Sequence, residues 1–279
     1  MTPATNVTEA STLAALLARG RPVVMGILNV TPDSFSDGGE FFDPTVAIAH
    51  ARRMAAEGAD VLDIGAESTR PYGGMQPVSL DEEIARLTPV LPEVVGLGIA
   101  VSIDTVKAKT AAWALDRGAT IVNDVWGLQR DPDMARIVAD RKVPVIAMHN
   151  RDAADPAIDI MEDVRAFFSR SLDIAAKAGI ARERIVLDPG VGFGKTPEQS
   201  ITVIARLAEF RAFGLPLLMG LSRKRFIASV SPSQPQQRIG GSIAGNVLAV
   251  LAGADILRVH DVVETVQALR VMAAIEKAR

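Results

Sequence analysis

Short apolar runs of strand length alternate along the chain with longer segments whose apolar residues recur at helical spacing. The runs are Val23–Leu28, Val61–Ile64, Ala100–Ile103, Thr120–Val122, Val143–Met148, Ile185–Leu187, Leu215–Met219 and Ile256–Val259. Between the first two, Val46–Glu57 places Ile48, Ala51, Met54 and Ala55 on one face, which predicts an amphipathic helix. Gly58, Gly118, Gly179 and Gly253 stand where four such helices end, just ahead of the next strand. Glycine accepts the left-handed conformation that closes a helix. The fragments Glu57-Gly-Ala-Asp60, Arg117-Gly-Ala-Thr120 and Ala252-Gly-Ala-Asp255 read as one connector used three times.

A polar residue stands at or just past the end of every run: Asn29, Asp63, Asp104, Asn123, His149, Asp188, Ser222 and His260, spaced 33 residues apart on average. Eight strand–helix units of this period predict an α/β fold, a (β/α)8 TIM barrel, with a doubly wound sheet as the alternative. The expectation is a single domain over 1–279, its core starting at about residue 21 after a short N-terminal extension, 1–20. The Pro- and Gln-rich segment Ser231–Gln237 reads as a loop within that domain. In a barrel the C-terminal strand ends gather at one rim, where barrel enzymes do their chemistry. The Gly-Ala connectors belong to the opposite end.

Composition narrows the picture further. With 48% apolar and 23% charged residues over 279 positions, the chain is that of a globular protein. Aromatic residues make up only 4%, so the core is built from Val, Ile, Leu, Ala and Met, which suits parallel strands under Ala-rich helices. A net charge of -3 supplies no global field for nucleic acid or an anionic membrane. The absence of cysteine excludes a disulfide scaffold, a Cys-ligated metal centre and a Cys nucleophile. The longest uncharged stretch, Ile239–Ala254, has 16 residues, short of the roughly 20 that span a bilayer. The first 18 residues lack the basic start of a signal peptide. The chain is expected to be soluble and cytoplasmic, with no nucleic acid and no membrane among its partners.

Several familiar signatures fail on spacing. Gly194-Lys-Thr196 would need a glycine at 189 to make a phosphate loop, and Pro189 is there. A dinucleotide pattern from Gly190 meets Lys195, and a nucleophile elbow around Ser222 meets Lys224. What remains is a set of polar groups at the rim. Asp63, Asp104 and Asp188 can each accept paired N–H bonds from a planar amidine-like group, and Asn123 offers a donor with an acceptor. Together they suit the edge of a guanine- or pterin-like heterocycle. Arg70, Lys224, Arg258 and His260 supply positive charge. Alternation along the last strand sends Arg258 and His260 to the same face, at a place where barrels often hold phosphate. Of the other histidines, His50 falls on a helix as a structural residue, and His149 is placed to line the site. Two long polar loops, Asn29–Gly39 and Gly65–Gly74, follow strands one and two and can close over a substrate.

The segments Met25–Gly39, Glu67–Pro71, Ser102–Thr105, Asn123-Asp124, Asp188–Gly190 with Gly192–Lys195, Ser222–Lys224 and Arg258–His260 run in an order that resembles the dihydropteroate synthase family. That resemblance implies a (β/α)8 barrel, a homodimer, and Mg²⁺ as cofactor. It implies condensation of 6-hydroxymethyl-7,8-dihydropterin diphosphate with p-aminobenzoate to 7,8-dihydropteroate and pyrophosphate, in folate biosynthesis. By motif match the pterin is held by Asp104, Asn123, Asp188 and Lys224, with Asp63 and Met148 nearby. The diphosphate falls to Asn29, Thr69, Arg70, Arg258 and His260, with Asn29 also the metal ligand. The p-aminobenzoate pocket, where sulfonamides compete in the family, falls to Phe35, Thr69, Pro71, Phe193 and Lys224. Arg70, Lys224, Arg258 and His260 are the implied catalytic residues.

Two positions depart from the family pattern: Arg225 where a serine is common, and Trp126 where a small residue is common. A barrel that transfers a methyl group from a folate to a corrinoid protein would share the pterin residues. It would need neither Ser-Thr-Arg-Pro nor Arg258 with His260, because its substrate has no diphosphate. A non-catalytic pterin-binding paralogue would be expected to have lost a diphosphate residue, and none is missing.

Overall fold

The computed structural model of the chain describes residues 12–31, 43–67 and 78–279. Among them eight parallel strands form one sheet: β1 (Val23–Asn29), β2 (Val61–Gly65), β3 (Ala100–Asp104), β4 (Ile121–Asp124), β5 (Val145–Met148), β6 (Ile185–Asp188), β7 (Leu218–Met219) and β8 (Ile256–Val259). Their order is β6-β5-β4-β3-β2-β1-β8-β7, and a parallel bridge from Leu187 to Leu217 joins the two ends. The sheet is therefore a closed (β/α)8 barrel. The helices covering it are α1 (Leu13–Leu17), α2 (Pro44–Glu57), α3 (Leu80–Leu87), α4 (Leu91–Val95), α5 (Ala108–Leu115), α6 (Met134–Arg141), α7 (Ile160–Ala178), α8 (Pro197–Ala205), α9 (Arg225–Val230), α10 (Ile239–Leu251) and α11 (Val262–Lys277). Among the described residues, no helix is long and apolar enough to cross a membrane.

Side-chain alternation divides the apolar residues into two cores. Val24, Leu62, Val101, Val122, Leu187 and Leu257 point outward and pack under the helices. Met25, Val61, Ala100, Ile121, Ile146 and Ile256 point inward and fill the barrel floor. Leu13 and Leu16 of α1 pack into this inner cluster, so a helix within residues 1–20 seals the floor. On α2 the buried face is Ala47, Ala51 and Met54, one residue round from the expected one, with Ile48 and Ala55 partly exposed.

Two strands start later than their apolar runs because proline interrupts each. Pro144 and Pro216 have no N–H for the ladder, and β5 and β7 begin beyond them. Leu217 is the further loss from β7, since its N–H is taken by the Asp255 carboxylate at 2.8 Å. The repeated connector has one job. At its fourth residue Asp60, Thr120 and Asp255 each donate N–H to a carbonyl on the neighbouring strand or at its entry, on Val24, Val101 and Leu217, at 2.8 Å. The preceding glycines Gly58, Gly118 and Gly253 have φ of 104°, 101° and 99°. Asp60 also accepts the Val24 N–H at 3.0 Å and a fork from Arg21 at 2.6 and 2.8 Å.

Leu16 is 2% exposed at the centre of the floor seal. Leu16→Ala should therefore cost about 2–4 kcal/mol, read as a lower urea midpoint with an unchanged slope.

Candidate active site

On several strands the inward column turns from apolar to polar two residues further along. Val61 gives way to Asp63, Ala100 to Ser102 and then Asp104, Ile121 to Asn123, Val186 to Asp188, and Ile256 to Arg258. Parallel register sets Asp63 beside Ser102 and Asp104 beside Asn123. The mouth of the barrel is thus lined with buried polar groups over an apolar floor.

Arg258 organises these groups. Its Nε donates to Asp63 Oδ2 and its Nη2 to Asp104 Oδ2, both at 2.6 Å, and Asn123 Nδ2 donates to Asp63 Oδ2 at 3.0 Å. One cation thereby faces two carboxylates. Asp63 Oδ1, Asp104 Oδ1 and Ser102 Oγ are buried with no hydrogen-bond partner. Burial pushes the Asp104 carboxyl up to about 7; Arg258 opposes that shift and Asp63 adds to it. Burial also works against the charge of Arg258, yet Asp63 and Asp104 carry its pKa above the ordinary arginine value. Both directions follow from two buried carboxyls facing one guanidinium.

The second half of the mouth is built by the glycine-rich loop after β6. Asp188 Oδ1 accepts the Gly190 N–H at 2.7 Å, and burial raises its pKa. Gly190, Gly192 and Gly194 have φ of 64°, 82° and 53°, and a Cβ at Gly190 would lie 1.9 Å from the His149 carbonyl oxygen. Only glycine fits so close a backbone approach. Phe193 packs with Val125 and Met148, and Lys224 stands 4.7 Å above its ring while donating to the Val191 carbonyl. Burial brings Lys224 down to about 8, with the charge of Asp188 working in the opposite sense. Ser222 Oγ accepts the His260 N–H at 3.2 Å and lies 3.1 Å from its Nδ1. Arg223, with φ of 59°, turns away from the mouth to Asp261, donating from Nε at 3.1 Å.

Asp63, Asp104, Asn123 and Arg258 are thus joined directly, and Asp188, Lys224, Phe193 and Met148 form the adjoining wall. Asn29 ends β1, partly exposed, beside Gly65. Phe35, Thr69, Arg70 and Pro71 lie outside the described residues. Trp126 packs against the cluster of Val125, Met148 and Phe193 and is stacked under Arg130 at 4.3 Å, so it serves as wall packing. Arg225 is exposed at the first position of α9. His50, on α2, lies 2.5 Å from Arg53 through Nδ1.

His149 differs from its expected place. Its ring is fully buried and faces Lys195 and Asp163 instead of lining the mouth. Sequence reasoning also passed over Glu83. It is fully buried on α3, where it accepts from Thr105 at 2.6 Å, Thr110 at 2.9 Å and Lys107 at 3.0 Å. Lys107 also pairs with Glu67, whose Oε1 accepts the Val78 N–H at 3.4 Å. An acidic residue in an exposed-looking Asp-Glu-Glu run gives no sign that it will be the buried one.

A carboxyl whose pKa is higher folded than unfolded costs stability as pH rises from about 4 to its folded value. Asp104→Asn keeps the shape and removes that charge, while Asp63 remains to pair Arg258. It should stabilise the ligand-free protein by about 1–2 kcal/mol near pH 8, with the gain shrinking towards pH 5, in denaturant unfolding at both pH values.

The family model described as pterin binding enzyme matches residues 25–260. The dihydropteroate synthase of Clostridium beijerinckii is 44% identical over 252 residues, covering 90% of this chain and 93% of that one. A crystal structure of Xanthomonas albilineans dihydropteroate synthase with 4-aminobenzoic acid superposes with a TM-score of 0.88 at 44% identity, covering 92% of this chain and 94% of that one. The structure of that enzyme in complex with 7,8-dihydropteroate gives 0.84 at 42% identity, with the same coverage. Similarity of this extent, over nearly the whole of both chains, makes the chain a member of the dihydropteroate synthase family of pterin-binding enzymes.

Proposed function

We propose that the protein condenses 6-hydroxymethyl-7,8-dihydropterin diphosphate with p-aminobenzoate, giving 7,8-dihydropteroate and pyrophosphate for folate synthesis. The observation that carries this reading is the pair of buried carboxylates, Asp63 and Asp104, each with an oxygen that finds no partner among the described residues. An unsatisfied buried acceptor costs about 1–3 kcal/mol, which a ligand returns by bringing N–H donors. The amidine-like edge of a pterin is such a donor set, and Asn123 and Asp188 extend the same line of acceptors. Relatives solved with 4-aminobenzoic acid and with 7,8-dihydropteroate support the assignment.

The chemistry needs no protein nucleophile. The aryl amine is neutral near pH 7, and its nitrogen lone pair forms the new bond to the pterin methylene carbon. The C–O bond to diphosphate breaks, its electron pair leaves with pyrophosphate, and the amine proton is lost to water. Arg258 uses two of its five N–H donors on the carboxylates, so others remain for the leaving diphosphate. His260, Arg70, Thr69 and Asn29 complete the diphosphate set, and preorganised charge of this kind lowers the barrier to departure. Asp104 and Asp188 face the pterin and favour positive charge developing there, so the displacement is dissociative. Phe193, Lys224, Phe35, Thr69 and Pro71 take the aryl amine.

Mg²⁺ fits this site as a shared ion. It keeps waters and phosphate oxygens and needs only one or two protein oxygens, and Asn29 offers one. Among the described residues no three His, Cys, Asp or Glu converge as a dedicated metal cage. When bound, Mg²⁺ supplies charge to the diphosphate.

Purified protein given both substrates and Mg²⁺ should release pyrophosphate, and a folded protein that releases none ends the proposal. Asp104→Ala should weaken pterin binding by about tenfold to a hundredfold. Arg258→Lys, which keeps a charge beside the carboxylates, should chiefly lower turnover.

A cytoplasmic homodimer is part of the same reading. Leu248 and Leu251 on α10 and Val271 and Ile275 on α11 are 54–60% exposed on helices that pack together, and an apolar face of this kind suits a second copy. Sedimentation equilibrium should give twice the chain mass, and Leu251→Glu with Val271→Glu should halve it.

A further inference from the structure

Lys195 is the most deeply buried lysine of the described chain, at 1% exposure, and the reaction described above makes no use of it. Its ammonium donates to the Gly190 carbonyl at 2.8 Å and the Phe193 carbonyl at 3.1 Å, and it lies 2.6 Å from His149 Nδ1. Burial pushes the Lys195 amine well below the ordinary lysine range, with the charge of Asp188 working in the opposite sense; as an ammonium, with three protons and no lone pair, it donates to His149 Nδ1. The imidazole proton is then on Nε2, which donates to Asp163 Oδ2 at 2.9 Å. Arg151 closes the chain on the same oxygen at 2.9 Å. Burial, reinforced by Lys195, lowers His149 to about 4, and the hydrogen bond from His149 lowers Asp163, so the ring stays neutral and the carboxylate charged.

The two carbonyls that Lys195 grips bracket the turn from Gly190 to Phe193. That turn supplies the Val191 carbonyl that anchors Lys224 and the Phe193 ring beneath it. The loop also lies hard against the end of β5: a Cβ at Gly194 would meet Arg151 Cβ at 2.4 Å. We propose that Lys195, acting through His149 and Asp163, is a positioning residue that fixes the Gly190–Phe193 turn and so sets Lys224 and Phe193 for the aryl amine. The inference rests on the functional reading above for the identity of that amine.

A purely structural lysine would, when lost, weaken the fold and leave the two substrates equally affected. A positioning residue acts on one wall of the site. Asp63, Asp104 and Asn123 stand on other strands and keep most of the pterin edge, while Asp188 and Lys224, which touch the turn, account for the small pterin effect expected. The variants to compare are Lys195→Met, His149→Leu and His149→Asn, the last of which restores an acceptor near the place of Nδ1.

The first readout is independent of turnover. In a Trp113→Phe background Trp126 is the sole tryptophan, and it packs in the cluster that holds Phe193. Its emission should shift to the red and become more open to iodide quenching in Lys195→Met and His149→Leu, and return towards the parent in His149→Asn. The second readout is kinetic. Lys195→Met should lower kcat/KM for p-aminobenzoate about a hundredfold through a raised KM, with KM for the pterin diphosphate moving about threefold or less. Parent-like emission and amine KM in Lys195→Met overturn the inference, as do equal rises in both KM values, or His149→Asn behaving like His149→Leu. If the parent enzyme releases no pyrophosphate, the fluorescence series still decides the positioning role. Should Lys195→Met not fold, Asp163→Ala at the solvent side of the chain should give the same shifts in smaller measure, and no shift there overturns the proposal.

Discussion

Two carboxylates forced to share one guanidinium set the character of the barrel mouth. Asp63 and Asp104 come from neighbouring strands and Arg258 from the last one, so the ion fork ties β2, β3 and β8 across the opening. Burial would expel any of these charges alone; together they persist because each supplies part of what the others lost on leaving water. The compensation is incomplete, and the incompleteness is useful. Three buried oxygens without a partner among the described residues, on Asp63, Ser102 and Asp104, mark where a ligand with N–H donors is most strongly wanted. Ground-state discomfort of this kind is a common feature of binding sites, where stability is given up for function.

The floor and the mouth follow from one rule. Strand alternation sends every second side chain inward, and a closed barrel must fill that interior. Apolar residues at the N-terminal ends and polar residues two positions later turn this geometric rule into a vertical gradient of polarity. The helices contribute little to the chemistry but much to its precision. Glycines at the connectors let each helix stop and the next strand begin in register, and the Asp60 and Asp255 carboxylates occupy N–H groups that a proline or strand end leaves unmatched.

Much of this is legible in the amino-acid sequence. Period, connectors and strand ends pointed to the barrel, and Asp63, Asp104, Asn123, Asp188 and Arg258 do meet at one mouth. What escaped was whatever depends on how far a side chain swings. His149 sits at a strand end like its fellows, yet faces outward because residues just past β5 turn towards α7. Lys195 was visible only as the last letter of a glycine-rich motif, and a lysine is the residue least expected in a core. Glu83 shares a run with Asp81 and Glu82, and only the packing of α3 on α5 selects it for burial. Strand limits at Pro144 and Pro216 could have been read, since a residue without an N–H can accept from a neighbouring strand but not donate to it.

The seal formed by Leu13 and Leu16 has an implication for traffic. Among the described residues the lower end is filled by aliphatic side chains, which leaves the rim as the way in. Two reactants must enter and two products leave through the rim, so whichever molecule binds deepest must arrive first and depart last. The order of events in the catalytic cycle then follows from how the barrel interior is filled, by its inward strand residues and by the short helix packed beneath them.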